Sequence, residues 1–192
     1  MDLKQIRTGD ILLVQGFTTQ AKLIQGFQIK DHIPSGAYNH SGILEVSRFH
    51  IWVNEETQVP NGRKGHRPFK AASVPTHLDH YLKGNYNLLL LQPFAPIHED
   101  TMEAIIRNNL GIPYDYWLLL HDKPMQIQLK KFLGRKKGTE KRMVCHEFTM
   151  ECWNDYAEFY GWDVMFPSSY QANVKDMFEH SFFNHITLKS TG

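Results

Sequence analysis

Val144-Cys145-His146-Glu147-Phe148 opens the stretch VCHEFTMECWNDYAEFYG, residues 144 to 161, on which the reading of the fold turns. Phe148, Cys152, Tyr156 and Phe159 recur at three- and four-residue spacing, the period of one face of an α-helix, and Gly161 supplies a residue on which helices end. A helix is therefore expected to begin at Cys145 and to lay its apolar face on other structure. A thiol in a first helical turn meets N–H groups without intrahelical acceptors and the positive end of the helix dipole, and both favour the thiolate. The same residue also reads as a buried, inert cysteine, so the helix alone does not decide its chemistry.

Upstream, Lys130 to Arg142 holds seven cations against Glu140 alone and is read as a solvated loop beside the Cys145 helix. Before it, Asp100 or Thr101 caps a helix through Met102, Ile105, Ile106 and Leu110, which Gly111 ends and Pro113 bars from continuing. Tyr86 to Leu91 reads as a buried strand, Leu78 to Leu82 as a helical turn, and the Pro-, Gly- and Asn-containing stretch from Gln58 to Pro68 as a surface loop. Ser41 to Val46 and Phe49 to Val53 form a hairpin around Ser47-Arg48. Earlier still, Asp10 to Val14 reads as a strand buried on both faces, and Thr18 or Thr19 caps a short helix carrying Ala21, Leu23, Ile24 and Phe27. The C-terminal third carries Trp162, Phe166, Tyr170, Phe178, Phe182 and Phe183, and such a tail packs on its domain.

Residues 1 to 192 are expected to form one domain, because the chain shows no internal repeat, no low-complexity linker and a 42% hydrophobic content. Its formal net charge of +1 gives no global reason to expect nucleic acid or an anionic membrane as partner. No run approaches the roughly 18 apolar residues of a spanning helix. Met1-Asp2-Leu3-Lys4-Gln5 also lacks the layout of a signal peptide, so a cytoplasmic protein without stable membrane insertion is expected. The two cysteines, Cys145 and Cys152, fall in one helix and cannot staple distant segments, which fits reducing surroundings.

A nucleophilic cysteine needs a base, and His40 stands where a polar loop enters an apolar strand, a firm edge for an imidazole. Position alone leaves His50, His77, His80, His121 and His146 in competition with it. The base needs an acceptor to fix its orientation, and Asn54-Glu55-Glu56 ends the strand after His40, with the choice among the three open. Adjacent side chains on a helix point about 100 degrees apart, so His146 is read as an outward surface residue. Cys145, His146 and Cys152 lack a fourth zinc ligand at workable spacing, so neither metal nor other cofactor is expected.

Five segments in order carry a resemblance: Gly9-Asp10-Ile11-Leu12, His40-Ser41-Gly42-Ile43, Val53-Asn54-Glu55, Gly111-Ile112-Pro113-Tyr114-Asp115 and Cys145-His146-Glu147. Together they resemble the permuted papain-like amidases of the YaeF/YiiX type, related to NlpC-type cell-wall hydrolases and to lecithin retinol acyltransferase. The resemblance implies an α+β, circularly permuted papain-like fold, with an antiparallel sheet packed against helices and the nucleophile at a helix N-terminus. It further implies Cys145 as nucleophile, His40 as general base, Glu55 as the group orienting it, and Asp10 and Tyr114 beside the substrate. The family has Ser where this chain has His146. The activity implied is cysteine-dependent cleavage of an amide in a cell-wall peptide or other small molecule. Acyl transfer or thioester cleavage on lipid or acyl groups, and a ligand-binding member without activity, are the alternative expectations.

Overall fold

Ile11-Leu12-Leu13-Val14 is buried throughout, and the strand built on it (β1, Ile11–Gly16) runs through the middle of the sheet. The computed structural model describes residues 3–17, 38–57, 72–112, 145–167 and 174–189. The expected helix after Thr18 or Thr19, the loop from 58 to 68, Tyr114 and the basic stretch from 130 to 142 lie outside the described residues.

After β1 come β2 (His40–Val46), β3 (Ile51–Thr57), β4 (Ala72–His77), α1 (Leu78–Lys83), β5 (Tyr86–Pro93), α2 (Glu99–Asn109), α3 (Cys145–Phe159), α4 (Val174–Phe178) and β6 (Phe183–Lys189). The strands form one six-stranded sheet in the order β4-β3-β2-β1-β5-β6, and each neighbouring pair is antiparallel. The fold is α+β, as expected. The hairpin forms, with its turn closed by Ser47 N and Oγ on the carbonyl of His50. Its second strand begins at Ile51, which leaves Phe49 in the turn, exposed, with the Arg48 guanidinium 5.0 Å from its ring.

Alternation along the strands divides the core in two. Ile11, Leu13, Ile43, Leu89 and Leu91 pack with Met102 and Ile106 of α2 and with Phe148, Cys152, Trp153 and Tyr156 of α3. Leu12, Val14, Leu44, Val53, Leu88 and Leu90 pack with Ile6 and with Leu78 and Tyr81 of α1. Each fully buried Leu, Ile, Val or Phe contributes on the order of 1.5–3 kcal/mol by its removal from water, and β1 serves both layers. Of the aromatic tail, Phe166 and Phe183 are buried, Phe183 meets the Trp153 ring edge-on, Trp162 is exposed, and Tyr170 lies outside the described residues. Among the described residues no helix is long and apolar enough to cross a membrane.

A candidate cysteine and histidine active site

Pairing past the end of a strand brings His40 to its place. Asn39 N donates to Val14 O at 3.0 Å, and the Asn39 amide exchanges two hydrogen bonds with the Gly16 backbone at 3.1 and 3.2 Å. This clamp holds the start of β2 against the end of β1, where His40 lies opposite Val14. The next residue, Ser41, is buried and lies 3.4 Å from Thr149 Oγ1 of α3, which also donates to Cys145 O at 3.2 Å. One hydroxyl pair thus ties the strand after His40 to the first turn after Cys145. Those first-turn N–H groups have no intrahelical acceptor.

The imidazole of His40 is hydrogen-bonded to Cys145 and, through Nε2, to Glu55 Oε2. With Nε2 engaged by the carboxylate, Nδ1 is the ring nitrogen left to the thiol. Glu55 is buried on β3, and β2 can approach it so closely because residue 42 is glycine. A Cβ on Gly42 would fall 2.5 Å from Val53 Cγ1 and 3.2 Å from Glu55 Cβ. Strand alternation sends Asn54 and Glu55 to different partners: Asn54 pairs with Ile43 and donates to Glu45 at 3.1 Å, while Glu55 meets His40. The Glu56 side chain lies outside the described residues.

Burial pushes the Cys145 thiol up, but the charge of His40 and hydrogen bonds from His146 and His40 outweigh it and bring the thiol down to about 5. Burial likewise opposes the charged form of His40, yet the Cys145 and Glu55 charges lift it well above the ordinary imidazole value. Opposite shifts on these two coupled groups favour the thiolate of Cys145 and the imidazolium of His40.

Three sequence expectations need revision or extension. His146 is not an outward surface residue: it is partly buried and hydrogen-bonded to Cys145. The 100-degree rule counts Cβ directions, and a long imidazole on the adjacent position still reaches the sulfur. Asp10 does not join the site. It precedes β1 at the opposite end from Val14, some four residues or about 13 Å along a strand from His40's partner. Its carboxylate instead accepts from Arg7 N and Gln92 Nε2, both at 2.9 Å. Tyr81 was not anticipated: its hydroxyl donates to Glu55 Oε2, and its ring stacks on His40 with centroids 6.4 Å apart. A lone tyrosine in a six-residue helix carries no motif, so nothing in the pattern singled it out.

A crystal structure of a protein from Escherichia coli O157:H7, described as the metalloprotein YiiX of the DUF1105 group, aligns with this chain at a TM-score of 0.59. The alignment covers 95% of this chain and 97% of that one at 14% identity. The chain has the YiiX fold. That fold is the one to which the five ordered segments pointed. No protein-family model and no curated protein matches the sequence. Among the described residues of this YiiX-fold chain, no group of three or more His, Cys, Asp and Glu side chains is arranged to hold a metal ion.

Proposed function

We propose that this protein is a cysteine-dependent hydrolase acting on an amide bond, with Cys145 as nucleophile, His40 as acid and base, and Glu55 as the group that orients His40. The carrying observation is the chain of contacts from Cys145 to His40 to Glu55, with the thiol brought down to about 5. The order of the three in the sequence, histidine first and cysteine last, agrees with a circularly permuted papain-like arrangement.

In the reaction, the Cys145 thiolate attacks the carbonyl carbon, forming a C–S bond and placing the carbonyl electron pair on oxygen, where first-turn N–H groups of α3 receive it. Collapse breaks the C–N bond as the His40 imidazolium gives its proton to the departing amine. Neutral His40 then takes a proton from water, the hydroxide attacks the thioester carbon, and loss of the C–S bond returns the thiolate, the imidazolium and a carboxylic acid product. Glu55 stabilises the imidazolium in both half-reactions without taking its proton. A cell-wall peptide or another small amide is the substrate class favoured by the resemblance of the motifs.

An activated acyl ester such as p-nitrophenyl acetate tests the reading without knowledge of the natural substrate. The expected result is a burst of p-nitrophenol and a single acetyl adduct located by mass spectrometry on Cys145, absent from Cys145→Ser. Absence of a Cys145 adduct across pH 6 to 8 contradicts the proposal. A panel of cell-wall stem peptides then identifies the amide.

A further inference from the structure

We infer that Tyr81 is a positioning residue of this site, its hydroxyl holding the Glu55 carboxylate in the orientation that aims His40 at Cys145. The inference rests on the reading of Cys145, His40 and Glu55 as catalytic. Tyr81 is buried, and its hydroxyl donates to Oε2 of Glu55, the same oxygen that engages His40 Nε2. A buried hydroxyl needs a partner, but a carbonyl would serve that need as well. What sets Tyr81 apart is its choice of acceptor and the near-parallel packing of its ring on the imidazole, at an interplanar angle of 25°.

Two donors on one carboxylate oxygen restrict rotation about the last torsion of Glu55, because turning Oε2 away breaks both bonds. The plane of the imidazole is restricted with it, and so is the direction of Nδ1. Burial and the Glu55 charge hold the Tyr81 phenol well above its ordinary value, so it remains an O–H donor wherever the enzyme works. A neutral donor also stabilises the carboxylate without a cation that would compete with the imidazolium for it.

Helix α1, which carries Tyr81, is secured at both ends. His77 Nδ1 accepts from Asp79 N at 3.2 Å, Gly84 N donates to His80 O at 3.1 Å, and Lys189 Nζ of β6 donates to the carbonyls of Leu82 and Gly84. The titratable groups bearing on Tyr81 are Glu55, Tyr86 and Cys145, with the His40 and His80 rings against its own.

The test is the pH-dependence of Cys145 alkylation by iodoacetamide in the full chain. Wild type is expected to titrate at about 5. Tyr81→Phe, which keeps the ring, is expected to move that midpoint up by about one pH unit, tenfold in thiolate fraction, while Tyr86→Phe leaves it in place. In a Glu55→Gln background, Tyr81→Phe is expected to add nothing, because Tyr81 acts through that carboxylate. Should Tyr81→Phe not fold, 3-fluorotyrosine at position 81 strengthens the donor at almost constant shape and is expected to lower the midpoint. An unmoved midpoint in Tyr81→Phe or the fluorotyrosine protein, with wild type at about 5, overturns the role of Tyr81 alone. An ordinary thiol midpoint in wild type overturns the catalytic reading and this inference with it.

Discussion

Glu55 on β3 and Asp10 just before β1 are both buried carboxylates, at 2% and 0% exposure, yet their surroundings differ. Glu55 faces a proton carrier, His40, and through it a thiol. Asp10 faces a backbone N–H and a glutamine amide, its Oδ1 has no hydrogen bond, and the Arg7 guanidinium nitrogen is 4.0 Å off. Burial therefore dominates at Asp10 and pushes it up to about 6. Its neighbours explain its presence: Gly9 turns at φ +94 where a Cβ would lie 2.5 Å from Ile97 Cδ1. Gly9 N and Asp10 O also bond Leu44 across to β2. The Gly-Asp-Ile segment is an anchor for the sheet, whereas the His-Ser-Gly-Ile segment brings His40 to Glu55 and Cys145. A buried acid becomes part of a reaction only where it meets a group that can carry its influence to the reacting atom.

Amide-for-carboxylate exchanges separate the two acids most sharply. Glu55→Gln is expected to slow acylation of Cys145 by p-nitrophenyl acetate by about 10²- to 10⁴-fold, because the amide no longer stabilises the imidazolium. Asp10→Asn is expected to stay within twofold of wild type. Equal losses in stopped-flow traces of the two variants break the distinction.

Stability against pH supplies the second contrast. The folded chain holds a proton on Asp10 up to about 6, against 3.8 ordinarily, so the native state binds more protons between those values. Stability therefore falls as pH rises from about 4 to 6, by about 3 kcal/mol from this group. Urea denaturation of Asp10→Asn at intervals across that range is expected to show the decline flattened. A decline as steep as that of wild type contradicts the assignment.

The smallest effect concerns the spacing beneath the site. Gly42→Ala forces a methyl toward Val53 and Glu55, which costs about 1–3 kcal/mol where it can be relieved by small shifts. Thermal melting is expected to show the loss, accompanied by a slower acylation of Cys145 as Glu55 is displaced. A melting temperature equal to that of wild type indicates that β2 and β3 have slack there.

Much of the frame was legible because periodicity is a local signal. β1, the β2–β3 hairpin, β5, α2 and α3 all followed from apolar spacing, although α2 starts at Glu99 after His98, so Asp100 and Thr101 lie in its first turn and neither caps it. The β4 strand was missed because Pro75 interrupts its pattern, which the strand tolerates only by lying at the sheet edge. β6 was missed because most of its residues are exposed or half-buried, so its alternation is faint. At the site, Cys145, His40 and Glu55 come together. Asp10 went astray because motif order says nothing of which end of a strand faces the site; only the register of Val14 against His40 does. Tyr81 and His146 reach the site through contacts that sequence spacing does not encode.

The central claim is that Cys145 is held as a thiolate by His40. Its most direct measurement is the rate of iodoacetamide labelling at Cys145 as a function of pH in wild type and His40→Ala. The account predicts a midpoint of about 5 in wild type, rising in the variant toward the roughly 8.5 of a free thiol. Coincident curves, or a wild-type midpoint already near the free-thiol value, would contradict it.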